Sequence, residues 1–240
     1  MNYGKIEEVN LFSESLNEEM QLLIHLPHQY SPLYKYSVLI ASDGKDYFQY
    51  GRLGRVTDEL VHEGEIENMI IVGVPYKSVK ERRRMYHPEG DRHLDYIRFL
   101  AHELVPYIDQ NYPTYQVGNG RALIGDSLAA TISLLTALKY PNCFGKVILH
   151  SPYVDDYVMD KVEAAKDPSS LSIYHIIGDG ETEVQTTSDG IQDFLTPNRK
   201  LNKLIKRKGF PYFYEEFNGE HTWKFWQQDI PRAIRENFHY

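Results

Sequence analysis

The chain has 240 residues, of which 42% are hydrophobic and 25% charged, and its formal net charge at pH 7 is −8. This composition is too apolar for a disordered chain and supplies enough apolar side chains for one large core. The acidic balance, with a pI of about 5.7, argues against general binding to nucleic acid or to an anionic membrane surface.

The amino-terminal sequence and the cysteine content favour a cytoplasmic protein. The opening stretch MNYGKIEEVNLF lacks the basic and apolar regions of a signal peptide. No run approaches the roughly 18 apolar residues of a membrane-spanning helix. The single cysteine, Cys143, cannot form an internal disulfide, which fits a reducing compartment. Because no linker or repeat divides the chain, residues 1–240 are expected to form one domain, and the oligomeric state stays open.

In chain order, predicted strands alternate with predicted helices. Short apolar runs indicate strands at 18–27, 36–42, 67–75, 121–125, 145–152, 171–178 and 211–217. Apolar residues at helical spacing indicate helices at 48–64, 91–112, 127–141, 188–209 (interrupted near Pro197) and 223–238. This alternation predicts an α/β fold with a mainly parallel sheet and helices on both faces. In such sheets, ligands bind at the carboxyl ends of the strands.

Ser127 lies directly after a predicted strand, in the sequence GDSLA. A nucleophile elbow has the pattern G-x-S-x-G, in which small residues allow a sharp turn from strand to helix. Gly125 and Ala129 occupy the small positions here, with a methyl group in place of the last glycine. The turn exposes the serine hydroxyl and directs a helix N-terminus at the developing negative charge. An ordinary serine N-cap is the alternative, and these five residues alone do not separate the two.

A serine nucleophile needs a base and an acid, and the later part of the chain offers both. His221 lies in FNGEHTWKFW, between the last predicted strand and the last predicted helix. Asp179, Glu181 and Glu183 follow the strand at 171–178. The order serine, acid, histidine is that of the α/β-hydrolases. All three carboxylates remain candidates on this evidence.

Several other histidines have weaker settings for a catalytic base than His221. Three lie in predicted elements without chemical context: His25, His28 and His62. His150 is interpreted as a packing residue. His87, Asp91 and His93 would be needed for a metal-dependent hydrolase, but their spacing matches no familiar metal motif, so a solvated loop is the simpler interpretation. No metal and no organic cofactor are expected.

Backbone amides and a basic segment complete the expected site. The amide of Leu128 and that of Gly44 or Lys45, in SDGKDYF, would form an oxyanion hole. The segment KERRRMYHP contains three consecutive arginines: Arg82, Arg83 and Arg84. They are expected either to form a rim that attracts anionic substrates or to lie in a solvated charged loop.

Several of these segments together resemble the esterase D/enterochelin esterase family of α/β-hydrolases, the "putative esterase" group. The segments are VLIASDGKDYFQYGRL, IIVGVPYKSVKERRRMYHP, FLAHELVPYIDQNYPT, GDSLAA and NGEHTWKFW, and the resemblance runs from about residue 18 to the end. The resemblance implies that Ser127 is the nucleophile and His221 the base. It also favours Glu181, three residues after the strand-ending Gly178, as the acid. Ala129 departs from the family pattern.

The resemblance implies a serine carboxylic-ester hydrolase that forms an acyl-enzyme. Its small-molecule substrate would be a small acyl ester or a siderophore lactone. A non-catalytic binding protein or an acyltransferase on the same fold is the alternative, and Ala129 is the sequence feature that favours loss of catalysis.

Overall fold

The structure is a computed structural model that describes residues 2–239, and an eight-stranded sheet organises it. The strands are β1 (Lys5–Ser13), β2 (Glu18–Leu26), β3 (Ser37–Ser42), β4 (Met69–Val74), β5 (Arg121–Asp126), β6 (Lys146–His150), β7 (Ser172–Gly178), β8 (Val184–Gln185), β9 (Ile191–Gln192) and β10 (Tyr212–Phe217). The order in the large sheet is β1-β2-β4-β3-β5-β6-β7-β10. The strands from β4 to β10 in that order are parallel, whereas β1 and β2 pair antiparallel at one edge. The short strands β8 and β9 form a separate hairpin.

Helices cover both faces of the sheet. They are α1 (Gly44–Gln49), α2 (Leu53–His62), α3 (Val79–Tyr86), α4 (His93–Arg98), α5 (Val105–Asn111), α6 (Leu128–Lys139), α7 (Asp156–Glu163), α8 (Leu195–Lys208) and α9 (Trp223–Phe238). A π-helical stretch, Phe99–Leu104, joins α4 to α5. Helices α1, α2 and α9 pack on one face, and α3 to α8 pack on the other.

The sequence of the central strands explains this layering. Every residue of β3, β4 and β5 is buried, because helices cover both faces of these strands. Alternate side chains enter opposite cores, so Leu39 and Ile71 belong to the core that α9 helps to form, whereas Ile40 and Val72 belong to the core that includes α6. The predicted α/β-hydrolase fold is confirmed. Among residues 2–239, no helix combines the length and apolar character that crossing a bilayer requires.

Two predicted helices have different boundaries in the structure. The segment 48–64 contains the end of α1 and the whole of α2, which are separated where Arg52 adopts a left-handed φ of 53°. The segment 188–209 is helical only from Leu195. Pro197 does not interrupt α8, because it lies in the first turn, where a missing amide hydrogen costs no helical bond.

Three elements differ more substantially from the sequence-based expectation. Strand β1 was not predicted, since it lies at the sheet edge and most of its side chains are exposed or half-buried. Helix α7 was not predicted either, because its polar sequence buries only two residues, Val158 and Val162. The arginine segment, expected as a loop, is mainly the helix α3, which Ser78 caps through a hydrogen bond from the Glu81 amide.

Gly44→Ala is expected to destabilise the fold, because helix α1 begins directly against β4. A Cβ atom at position 44 would overlap backbone atoms of Gly73 and Val74. Overpacking against backbone costs about 1–3 kcal/mol. For a chain of this size the melting temperature should fall by roughly 2–12 °C. Lys45→Ala, at the neighbouring exposed position, is the control. Equal melting temperatures for Gly44→Ala and the unmodified protein would show that this contact does not constrain the fold.

Candidate active site

A cavity of about 230 Å³ lies at the carboxyl ends of the parallel strands. Its walls include residues that follow five different strands: Asp43, Tyr76, Ser127, Tyr153 and His221. The structure therefore brings the predicted serine and histidine, which are 94 positions apart in sequence, to one cavity.

Ser127 occupies a strained turn between β5 and α6. Its φ of 52° and ψ of −123° lie outside the conformations that most L-residues adopt. The Ser127 amide donates to the His150 carbonyl at 2.9 Å, and the Thr131 hydroxyl donates to the Ser127 carbonyl at 3.1 Å. Strain of this kind persists only where surrounding contacts enforce it, and it is typical of functional sites.

The small residues beside Ser127 make the turn possible. A Cβ atom at Gly125 would overlap the backbone of Ala129, so strand and helix approach as closely as a glycine allows. Ala129 itself is fully buried, and its methyl group packs in the core. The alanine therefore fits the turn without opening it.

Glu181 is the carboxylate that contacts His221. The distance from Glu181 Oε2 to His221 Nδ1 is 2.6 Å, and the Glu181 side chain is fully buried. With Nδ1 engaged in this bond, Nε2 is the ring nitrogen available to the cavity. Phe194 and Trp226 flank the imidazole, with ring centroids 4.4 Å and 4.8 Å from it, and restrict its rotation.

The second oxygen of Glu181 is held in place by two donors. Oε1 accepts from the Ser151 hydroxyl at 2.6 Å and from the Gly178 amide at 2.8 Å. The Trp226 indole donates to the Ser151 hydroxyl at 3.0 Å. A buried carboxylate needs such partners, since desolvation otherwise disfavours its charge. Ser151 and Trp226 were not predicted as site residues. The sequence offers only their positions as a signal, since Ser151 directly follows strand β6 and Trp226 lies shortly after His221.

The two alternative acids lie away from the imidazole. Asp179 is exposed and accepts from the Gly219 amide at 3.2 Å and from the Asn218 side chain at 3.3 Å. Glu183 is also exposed, at the start of the β8–β9 hairpin. Of the three candidate acids, Glu181 is thus the one whose carboxylate contacts the His221 imidazole, although its catalytic role stays a prediction.

The predicted oxyanion amides lie at two helix N-termini. Leu128 is the first residue of α6 and lines the cavity. Gly44 and Lys45 are the first residues of α1, directly after the cavity residue Asp43. Within residues 2–239, none of these three amides donates a hydrogen bond to another group, as expected for the first turn of a helix.

The three consecutive arginines have different environments. Arg82 lines the cavity, where its Nε atom donates to both oxygens of Asp43 at 2.8 and 2.9 Å. Arg83 pairs with Asp189 at 2.6 Å across to the β8–β9 hairpin. The third, Arg84, pairs with Glu81 and Asp91. Each arginine therefore has a carboxylate partner, and Arg82 alone of the three lines the cavity. The rim that would attract anionic substrates stays a prediction, and these ion pairs leave little unpaired positive charge for that role.

Two buried carboxyl groups, those of Asp126 and Asp43, line the cavity that contains Ser127. Asp126 is 6% exposed and lines the cavity. Burial, reinforced by the nearby charge of Asp43, holds the pKa of Asp126 well above its usual range. Burial likewise raises the pKa of Asp43, because it outweighs the opposing attraction of Arg82. Burial alone would lower the pKa of Arg82, but Asp43 outweighs it and raises that pKa.

The remaining histidines do not converge on this cavity. His150 is fully buried and bonds to Tyr47 at 3.0 Å and to Asp229 at 3.1 Å, consistent with a packing role. His87 and His93 are buried rather than solvated, which corrects the expectation of a solvated loop. In the described part of the chain, no three histidine, cysteine or acidic side chains form a group suited to hold a metal ion.

The hairpin β8–β9 forms one wall of the cavity and was not predicted. Val184, Thr186 and Gln192 are among its lining residues. The hairpin carries few apolar residues, so its sequence resembles that of any surface loop.

Comparisons with known proteins identify the family of the chain and support its fold. A family model described as "Putative esterase" matches residues 13–236. The uncharacterized protein YjcH of Bacillus subtilis (strain 168) is 55% identical over 233 residues, which cover 97% of each chain. A ferulic acid esterase structure superposes with a TM-score of 0.81 at 19% identity and covers 99% of both chains. The enterobactin esterase FES of Shigella flexneri superposes with a TM-score of 0.80 at 16% identity, over 97% of this chain and 59% of that one. These two structures indicate a shared fold.

Asp126→Asn is expected to stabilise the protein at alkaline pH. Because the folded-state pKa of Asp126 is raised, its ionisation favours the unfolded chain as pH rises above the ordinary aspartate range. The amide removes this penalty, so the gain in melting temperature should be near zero around pH 4 and grow toward pH 8. The exposed Asp160→Asn is the control. A pH-independent difference between Asp126→Asn and the unmodified protein would show that Asp126 does not carry the assumed penalty.

Proposed function

We propose that this chain, which belongs to the "Putative esterase" family and is a carboxylic-ester hydrolase, acts through a Ser127–His221–Glu181 triad and a covalent acyl-enzyme. The observation that carries the proposal is the 2.6 Å contact between Glu181 and His221, made beside a cavity that also contains Ser127. A buried acid, an imidazole held by it and a serine on a strained turn are the components of the triad mechanism.

In the first half of the reaction, the Ser127 hydroxyl attacks the ester carbonyl carbon. His221 Nε2 takes the hydroxyl proton, and Glu181 stabilises the imidazolium that forms. The carbonyl oxygen becomes an oxyanion, for which the amides of Leu128 and of Gly44 or Lys45 are the proposed donors. The carbon–oxygen bond to the alcohol then breaks, and His221 returns the proton to the leaving alcohol.

In the second half, a water molecule replaces the alcohol. His221 takes a proton from the water, whose oxygen attacks the acyl carbon. Collapse of this second oxyanion breaks the bond to Ser127, which recovers its proton from His221. The products are a carboxylic acid and the free enzyme, and neither metal nor organic cofactor enters any step.

The cavity volume favours small acyl esters over bulky lactones as substrates. About 230 Å³ is less than the 300–1,000 Å³ range of pockets for drug-sized ligands. The feature that favoured a non-catalytic protein, Ala129, fits the turn, and Ser127 retains the strained conformation. The single-domain organisation and the cytoplasmic location stay predictions.

Ser127→Ala is expected to remove nearly all ester hydrolysis while keeping the fold. Loss of one triad member costs about 10⁴- to 10⁶-fold in kcat, the remainder coming from the oxyanion hole and binding. Hydrolysis of 4-nitrophenyl butyrate, together with the melting temperature, measures both effects. Ser169→Ala, at an exposed turn, controls for the general loss of a serine hydroxyl. Near-normal turnover by a folded Ser127→Ala protein would exclude Ser127 as the nucleophile.

Glu181→Gln, Asp179→Asn and Glu183→Gln separate the three candidate acids. Only Glu181→Gln should lower kcat strongly, by about 10²- to 10⁴-fold, because the imidazole tautomer is then no longer held. The other two variants should remain close to the unmodified enzyme on the same neutral ester. A crippled Asp179→Asn or Glu183→Gln enzyme, beside an active Glu181→Gln enzyme, would transfer the role of the acid. Three active variants would leave a serine–histidine pair.

A further inference from the structure

Asp126 is a buried polar group for which the proposed reaction has no use. It is the last residue of β5 and directly precedes Ser127; it is 6% exposed and contributes to the cavity wall. Within residues 2–239, its Oδ1 atom is fully buried and has no hydrogen-bond partner. Buried polar side chains are normally hydrogen-bonded, so an unpaired carboxyl next to a nucleophile requires an explanation.

The neighbours of Asp126 are already engaged with one another. The Arg82 guanidinium is paired with both oxygens of Asp43, and its contact with Asp126 is to the backbone carbonyl, at 3.4 Å. Asp46 accepts from the Tyr76 hydroxyl at 3.2 Å. Of these three cavity carboxyls, Asp126 is therefore the one without a side-chain partner, and the cavity is where a partner can reach it.

The charges around Asp126 restrict the chemistry of such a partner. A substrate carboxylate would face Asp43, Asp46 and Asp126 without a free cation, since Arg82 is neutralised by Asp43. An ammonium group would need Asp126 in its ionised form, which burial and the nearby charge of Asp43 disfavour by raising its pKa. A hydroxyl group meets neither penalty, and it can donate to an ionised carboxyl or accept from a protonated one.

We infer that Asp126 is a specificity-determining residue that hydrogen-bonds a hydroxyl group of the substrate close to the scissile ester. This inference rests on the proposed ester hydrolysis at Ser127 and adds the class of ester that the site selects: uncharged esters with a free hydroxyl on the acyl or the alcohol side. Loss of the hydroxyl leaves Asp126 buried and unpaired in the complex, so the enzyme discriminates against the analogue that lacks it.

Two pairs of esters, in which a methyl group replaces the hydroxyl, test the inference. The acyl-side pair is 4-nitrophenyl 3-hydroxybutyrate and 4-nitrophenyl 3-methylbutyrate, and the alcohol-side pair is 2-hydroxyethyl butyrate and propyl butyrate. The unmodified enzyme should prefer the hydroxyl member of at least one pair by about 10- to 100-fold in kcat/KM, the range for one hydrogen bond to a charged or buried partner. Equal kcat/KM values within both pairs would overturn the inference.

Variants then assign the preference to Asp126. Asp126→Ala should reduce the preference ratio to near one. Asp126→Asn should retain part of it, because an amide both donates and accepts, and this variant also keeps the inference testable if the alanine variant does not fold. Asp46→Asn, in the same cavity, is the matched control and should keep the full ratio. A ratio that survives in both Asp126 variants would place hydroxyl recognition elsewhere.

A cationic ester compared with its neutral isostere, and the total ester hydrolysis by the unmodified enzyme, distinguish the remaining outcomes. Choline butyrate and its neutral isostere 3,3-dimethylbutyl butyrate should show no preference for the cation. A cation preference that disappears in Asp126→Ala would make Asp126 an ammonium site and overturn the hydroxyl inference. If the unmodified enzyme hydrolyses none of these esters and a fluorophosphonate does not label Ser127, the proposed function falls and this inference with it. If Ser127 is labelled but none of these esters is hydrolysed, the inference alone is overturned. Hydrolysis of both members of each pair at equal rates overturns the inference alone.

Discussion

The close approach of β5 and α6 is the constraint on which the site depends. Because a side chain at Gly125 would overlap the Ala129 backbone, the chain can pass from strand to helix only through a sharp turn. That turn forces Ser127 to a φ of 52° and leaves its hydroxyl at the cavity rather than in a capping hydrogen bond. The same turn brings the α6 N-terminus, with its unpaired amides, to the place where negative charge would develop.

The parallel sheet assembles the other groups at the same edge. Strand β7 ends before Glu181, and strand β10 ends before His221, so the two side chains emerge from adjacent strands. The donors on Glu181 and the rings around His221 then fix their mutual orientation. Such preorganisation lowers the cost of aligning groups during the reaction. The burial of the Asp43 and Asp126 carboxyls in the same cavity costs stability.

Much of the fold was predictable because the central strands and the longer helices carry strong periodic signals. Buried runs such as 36–42 and 67–75 have no other common structure in an alternating α/β sequence. The edge strand β1 and the hairpin β8–β9 were missed because few of their side chains are buried, so little of the core pattern appears in their sequences. The helix that carries Arg82 was mistaken for a loop, since its sequence is charged on most positions.

The site was predictable only where chain order carries information. Ser127 and His221 could be named as candidates from their places after strands, and the structure brings both to one cavity. The choice among three nearby carboxylates depends on side-chain direction, which sequence does not supply. The pairing of Arg82 with Asp43 joins residues 39 positions apart, and no local pattern marks it. Asp126 could be named from the motif, but its lack of a partner is a property of the packed structure.

Labelling with a fluorophosphonate asks directly whether Ser127 is an activated nucleophile, because an activated serine displaces fluoride from this reagent and becomes phosphonylated, whatever the natural substrate is. The enzyme is treated with the reagent, and mass spectrometry of its peptides locates the adduct while ester hydrolysis is followed in parallel. We expect one adduct, on Ser127, formed in proportion to the loss of activity and absent from the His221→Ala variant. Full loss of activity with the adduct on another residue, or undiminished hydrolysis after complete labelling of Ser127, would contradict this expectation.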